Sequence, residues 1–319
     1  MANIGWGLVG TSGFAESDAA PAIKAAAGAA LIGAVGSAPE NSQQFQNRHG
    51  CPRSYMHLAE LAADPEVSIV WVAGPNHLHS SATIELLKAG KHVLVEKPMA
   101  ISVADAEAML AAAARSGSTL RIGYHQRFRN AHRRLRQLVL DGELGKIGSF
   151  RIHLFIRYPA LPAAWRRAAE TSGGWAINDI GTHLIDLMLW MTGLPAQVLG
   201  ARLPAQRFPV ATDDGAAVLF GLGQDAIGIV ETSTALASPT SRIEIYGDKG
   251  WARADGTLAG SGIVDTSAQK FAEKDDVDPF VAEVMGMHEA VAGKPSLNAE
   301  GPIGIENVRL IQLARKLAK

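Results

Sequence analysis

The chain has 319 residues, 47% of them hydrophobic, enough to build two cores rather than one. Its 30 Lys plus Arg are balanced by 31 Asp plus Glu, and a formal net charge of −1 gives no electrostatic footing for nucleic acid or an anionic membrane as partner. With Cys51 as the single cysteine, an intrachain disulfide framework and a cysteine-based zinc cluster are excluded, no metal site is expected, and a reducing, cytoplasmic setting is the expectation.

From residue 1 to 122, short apolar runs alternate with Ala-rich segments of helical pattern, the signature of βαβ units around a parallel sheet. Strands are predicted at 4–9, 30–35, 69–73, 92–95 and 119–122, with no basic or apolar leader before the first. Helices are predicted at 15–27, 40–49, 79–89 and 103–116, the last opened by Ser102 as N-cap and closed at Gly117. These elements make a Rossmann-type, doubly wound domain over 1–122. Residues 123–319 read as a second α/β domain. A basic helix near 131–140 presents Arg133, Arg134 and Arg136, without interleaved aromatics, as a solvated face. A strand from Ser149 to Tyr158 and a helix near 175–191 follow, then strands near 197–203, 215–221, 226–234, 242–246 and 250–254, and helices near 279–291 and 304–318. The short turns between these strands predict an open, mostly antiparallel sheet. No apolar run reaches the roughly 18–20 residues of a membrane helix.

The turn after the first strand, Gly10-Thr11-Ser12-Gly13-Phe14-Ala15, is an imperfect G-x-G-x-x-G/A dinucleotide fingerprint. Gly10 supplies the tight turn and Ala15 the close helix packing, while Ser12 stands in place of the second glycine. At the end of the second strand a carboxylate would select NAD by holding the ribose 2′-hydroxyl. Gly36 and Ser37 stand there instead and leave room for a 2′-phosphate, so NADP(H) is favoured and NAD(H) stays possible; Arg48 lies too far along its helix to decide the matter. The segment Gly74-Pro75-Asn76-His77-Leu78-His79 opens a helix on the same side, where Asn76 and His79 either cap the helix or touch the nicotinamide ribose.

Glu96-Lys97-Pro98 ends the apolar run His92–Val95 and delivers an ammonium to the carboxyl edge of the sheet, where open α/β folds bind their ligands. The bland alternative is a solvated loop lysine. In the second half, Gly173-Gly174-Trp175 leads to Asp179 and His183, one helical turn apart and on one face. Histidine titrates nearest neutrality, so His183 can take a hydroxyl proton and return it; in so apolar a helix the alternative is a core residue. Asp186 either orients that ring or carries a salt bridge.

These motifs together resemble the glucose-fructose oxidoreductase and inositol dehydrogenase (Gfo/Idh/MocA) family. The likeness rests on the Gly-rich turn, Pro75-Asn76-x-x-His79, Glu96-Lys97-Pro98, Gln126-Arg127-Phe128, Trp165-Arg166, and Gly173-Gly174 through Asp179 and His183. It implies an NAD(P)-dependent oxidoreductase acting on a sugar, polyol or related carbonyl compound. By that likeness Lys97 polarises the reacting oxygen, His183 exchanges its proton, Asp179 positions substrate or histidine, and Glu96 joins the cofactor contacts. Trp165-Arg166 resembles a cofactor-contacting element of the 1,5-anhydrofructose reductase branch, whose cofactor-selecting arginine would fall near Asn41. Arg127, Tyr158, Trp165 and Trp175 are expected around the sugar, with packing of the sheet the alternative for Tyr158 and Trp175, and a homodimer or homotetramer is implied. The family also holds members that bind dinucleotide without turnover, so a sensor or regulatory subunit is the alternative.

Overall fold

The computed structural model describes residues 3–205, 207–238 and 240–318. By internal contacts the chain divides into two units, one taking residues up to His125 with Val277–Ile305, the other Gln126–Asp276 with Glu306 onward. The sequence reading places its boundary at 122 and assigns everything beyond to one domain; the structure returns a C-terminal segment to the first unit.

In the first unit, β1 (Ile4–Val9), β2 (Ala29–Val35), β3 (Arg53–Tyr55), β4 (Ile69–Val72), β5 (His92–Glu96) and β6 (Leu120–Gly123) form a sheet in the order 3-2-1-4-5-6, every neighbouring pair parallel. Such strands are covered on both faces, which is why Ile69–Val72 is buried at every residue. The connecting helices are α1 (Ala20–Ala25), α2 (Pro39–His49), α3 (Leu58–Ala63), α4 (His79–Lys88) and α5 (Val103–Ser116). Ser102 caps α5 by accepting from Asp105 N, and Gly117 ends it in the left-handed region at φ 70°. β3 and α3 are absent from the sequence reading, because three polar strand residues and a six-residue helix carry too little periodicity.

In the second unit, α6 (Asn130–Leu140), β7 (Ile147–Phe155), α7 (Ala169–Ser172), α8 (Thr182–Thr192), β8 (Ala196–Arg202), β9 (Gly215–Leu222), β10 (Ala226–Ser233), β11 (Arg242–Gly247), β12 (Trp251–Asp255), β13 (Gly262–Thr266) and β14 (Lys270–Glu273) follow in order. The sheet runs 14-13-12-11-7-10-9-8 and is antiparallel except where β7 meets β10. One face is closed: Phe150, Ile152, Phe220, Val230 and Ile243 pack with Leu135 of α6 and Leu184, Ile185 and Met188 of α8. The other leaves Leu199, Leu219, Ile227, Tyr246, Trp251 and Ile263 exposed. The basic helix α6 is only partly a solvated face, since Arg134 lies over the Phe271 ring and Arg136 over Trp190.

The returning segment contains α9 (Pro279–Val291) and β15 (Ala299–Glu300), and α10 (Gly301–Leu317) ends the fold. Val284 and Met287 of α9 enter the core of Trp6, Leu8, Leu31 and Trp71, and β15 adds an antiparallel edge to β6. Among the described residues no helix is long and apolar enough to cross a membrane.

Candidate functional site

In the first unit, β1 lies between β2 and β4, so the connections leave its two sides in opposite directions and a crevice opens at the strands' carboxyl ends. The fingerprint turn begins there. Gly10 N donates to Val35 O at 2.9 Å and Ala73 N to Val9 O at 2.8 Å, which gathers the ends of β1, β2 and β4. Gly10 (φ 117°) and Gly13 (φ 54°) both occupy the left-handed half of backbone space, so each does what another residue would do only under strain. Thr11 is buried and Ser12 exposed. Phe14 turns inward, edge-on to Trp71 at 5.6 Å and to Phe280 at 5.2 Å, and so floors the turn. Ser37 is exposed and accepts from Asn41 Nδ2 at 3.0 Å. Arg48 is held by Glu16 through Nε at 2.9 Å and Nη2 at 2.8 Å, committed away from Ser37.

The ends of β4 and β5 are joined by His79. Its Nε2 lies 2.9 Å from Gly74 O and its Nδ1 2.9 Å from Pro98 O, while the residue is 1% exposed. Burial lowers the imidazole's pKa, and the neutral ring donates to one of these carbonyls while lying against the other. The His79 ring thus reaches across to the loops rather than capping the helix, and Asn76 is buried in the one-turn Asn76–Leu78 segment that follows Pro75. Glu96 is 7% exposed and accepts from the Trp71 indole at 3.0 Å. Lys97 follows, half-buried, with a cis peptide to Pro98.

In the second unit, the helix read as continuous over 175–191 begins with a widened π turn, Ile177–Gly181, that carries Asp179, and His183 stands in the first turn of α8. Such turns recur at functional sites. Arg166 Nε donates to Asp179 Oδ2 at 2.7 Å, and the guanidinium lies 4.1 Å over the Trp165 ring, so the Trp165-Arg166 motif meets the Asp179 carboxylate within one unit. Burial, with the Asp179 carboxylate next, raises the Tyr158 hydroxyl.

One expectation gives way here, and for two residues the second alternative holds. Asp186 carries the salt bridge: it is fully buried and takes Arg127 bidentately, at 2.8 Å from Nε and 2.5 Å from Nη2. Arg127, expected beside a ligand, is consumed by that ion pair. Trp175 takes its packing alternative: it is 0% exposed and lies against Phe208 at 5.1 Å and Tyr158 at 5.7 Å. Sequence reasoning also missed Trp71 and Phe280 beneath the fingerprint turn and Asn307 beneath α8. Asn307 Nδ2 donates to Thr182 O at 3.0 Å and its Oδ1 accepts from Thr182 Oγ1 at 3.0 Å, both residues being fully buried. The one signal in sequence is their polarity inside apolar runs.

The first unit's carboxyl edge fits a dinucleotide. A Cβ on Gly13 or on Gly74 would meet nothing within 4 Å, leaving open space beside two turns whose backbone can approach a phosphate. Gly10 to Phe14 would hold the pyrophosphate, Ser37 the adenosine ribose, and the Gly74 and Lys97 turns the nicotinamide side.

Residues 4–124 match the family described as "Oxidoreductase family, NAD-binding Rossmann fold" (GFO_IDH_MocA), and residues 132–253 match its C-terminal domain. A 1,5-anhydro-D-fructose reductase of Ensifer adhaerens is 27% identical over 94% of this chain and 92% of its own length. A scyllo-inositol 2-dehydrogenase (NADP(+)) of Bacillus subtilis is 32% identical over 49% of this chain and 43% of its own. Among solved structures, an aldose-aldose oxidoreductase from Caulobacter crescentus superposes with TM-score 0.89 at 24% identity, over 99% of this chain and 97% of that one.

Proposed function

The chain belongs to the GFO/IDH/MocA family of NAD(P)-dependent oxidoreductases, and from that premise we propose that it transfers a hydride between nicotinamide and a carbon of a sugar, polyol or related carbonyl compound. The observation that carries this reading is an ammonium, Lys97, at the carboxyl end of β5 beside a dinucleotide-shaped edge. The nicotinamide, when bound, supplies or accepts the hydride. Lys97 stabilises charge on the reacting oxygen. His183 takes the hydroxyl proton in oxidation and returns it in reduction, and Asp179, held by Arg166, positions substrate or histidine. Gly10, Thr11, Ser12, Gly13, Ser37, Gly74, Pro75 and Asn76 form the cofactor's bed, with Phe14, His79 and Glu96 supporting it from below.

NADP(H) is the favoured cofactor, because Ser37 and its partner Asn41 bring no negative charge to repel a 2′-phosphate. Calorimetric titration with both cofactors decides this, and tighter NADH binding would reverse it. The exposed apolar face of the second sheet supports a homodimer or homotetramer in which another copy covers it; a monomer by light scattering at micromolar concentration would refute that. The test of function is a panel of aldoses, ketoses, osones and inositols with NADPH or NAD(P)+. Turnover of a sugar or polyol is expected, and activity confined to simple aldehydes or imines would overturn the substrate class. Cofactor binding without turnover of any of these compounds would favour a sensor.

A further inference from the structure

Glu96 is a carboxyl buried at the very edge where the dinucleotide is proposed to bind. Trp71 lies opposite Leu94 in the β4–β5 register, and the residue two beyond Leu94 on the same face is Glu96, so the indole N–H reaches its Oε1 at 3.0 Å. On the far side the next strand makes room for it: a Cβ added to Gly123 would stand 2.8 Å from Oε1. The side chain is thus held by the Trp71 indole and the Lys97 backbone N–H with room left by a glycine, 7% exposed, immediately before the Lys97 side chain.

The charged groups that face it are few. Burial pushes the carboxyl up to about 7, the Lys97 ammonium and the Trp71 indole pull it down, and Asp18 from the helical turn Ala15–Ala19 pushes it up again. A group so balanced responds to one further charge. Oxidised nicotinamide is a cation and reduced nicotinamide is neutral, so the two forms of one cofactor differ by a unit charge at this edge. In an effective dielectric near 20, a unit charge about 10 Å from a carboxyl moves its proton affinity by on the order of one pK unit.

We propose that Glu96 is a proton-exchange site linked to the oxidation state of the bound dinucleotide, ionised beside the oxidised form and taking up a proton from solvent when the reduced form is bound. This rests on the reading that a nicotinamide dinucleotide occupies the carboxyl edge of the first sheet. Glu96 acts as a positioning residue, through Trp71 and Lys97, and as the buried charge that distinguishes the two redox states. One consequence is that acidification through neutrality favours the reduced cofactor over the oxidised one.

The test is calorimetric titration of the whole protein with oxidised and with reduced NADP in buffers of different ionisation enthalpy, from pH 6 to 8. The expected result near pH 7 is an uptake larger by roughly 0.2–0.4 proton for the reduced form, as a shift of about one pK unit implies. In Glu96→Gln, which keeps an acceptor for Trp71, that difference disappears while both forms still bind. In Trp71→Phe, which removes the donor to the carboxylate, the pH of greatest difference moves upward. Thermal melting of both variants verifies that they fold. Proton uptake that is equal for the two cofactor forms, or unchanged in Glu96→Gln, overturns the proposal while leaving the oxidoreductase assignment standing. Absence of binding by either form overturns both.

Discussion

Arg127 and Asp186 show at the scale of one residue pair how a motif can serve structure rather than chemistry. Their side chains are 5% and 1% exposed, so each charge exists only because the other neutralises it. Removing one partner leaves an uncompensated buried ion, and Asp186→Asn is predicted to lose about 3–5 kcal/mol of stability, read from urea unfolding. A loss under about 1 kcal/mol would mean that water reaches Arg127. The pair was invisible in sequence because 59 positions separate its members and nothing local couples them. Lys97 was legible for the opposite reason: an apolar run followed by Glu-Lys-Pro fixes a strand end without any distant partner.

Among elements, those with a continuous apolar run or sustained alternation declared themselves, as β4, β5, β7 and β9 do. The four-residue β14 and the two-residue β15 did not, being too short to hold a period. Nor did the two π turns, Ala15–Ala19 and Ile177–Gly181, since one inserted residue hardly disturbs a helical pattern. The second of these leads directly into α8, whose first residue Thr182 is clamped by Asn307 of α10. Replacing Asn307 with Ala leaves a buried hydroxyl and carbonyl without that amide, and is predicted to cost about 1–3 kcal/mol. Because His183 is the next residue, the same variant should lower kcat more than it alters KM. Unchanged steady-state parameters in a measurably destabilised protein would confine Asn307 to a structural role.

For the whole molecule, the return of α9 to the first core was beyond sequence reasoning, because Val284 and Met287 find Trp6 and Trp71 only after folding. The same helix brings His288, whose Nε2 accepts from the Trp6 indole at 2.9 Å. Burial lowers the pKa of His79, His92, His132 and His288, that of His132 to about 3. Each is neutral when folded and gains a proton when unfolded below its ordinary value near 6.5, so stability present above that pH is lost as the solution is acidified. Glu96 works the other way: raised to about 7, it favours the folded state increasingly as pH falls from 7 toward 4.5. Asp186 and Asp213, also raised by burial, act in the same direction as Glu96, and four histidines against these three carboxyls decide the sign. The urea midpoint is predicted to fall from pH 6.5 to 5, by up to about 1.4 kcal/mol per pH unit for each histidine, and to fall less in His132→Gln. A flat profile over that range would show that the rings stay hydrated.

The assignment of a hydride-transferring oxidoreductase stands most directly on Lys97, and the measurement that tests it is steady-state turnover of Lys97→Ala on whichever sugar or polyol the panel identifies, with cofactor affinity measured alongside. Loss of a group that stabilises charge on the reacting oxygen predicts a kcat lower by at least about 100-fold with cofactor binding nearly unchanged. Full activity in Lys97→Ala would contradict the account.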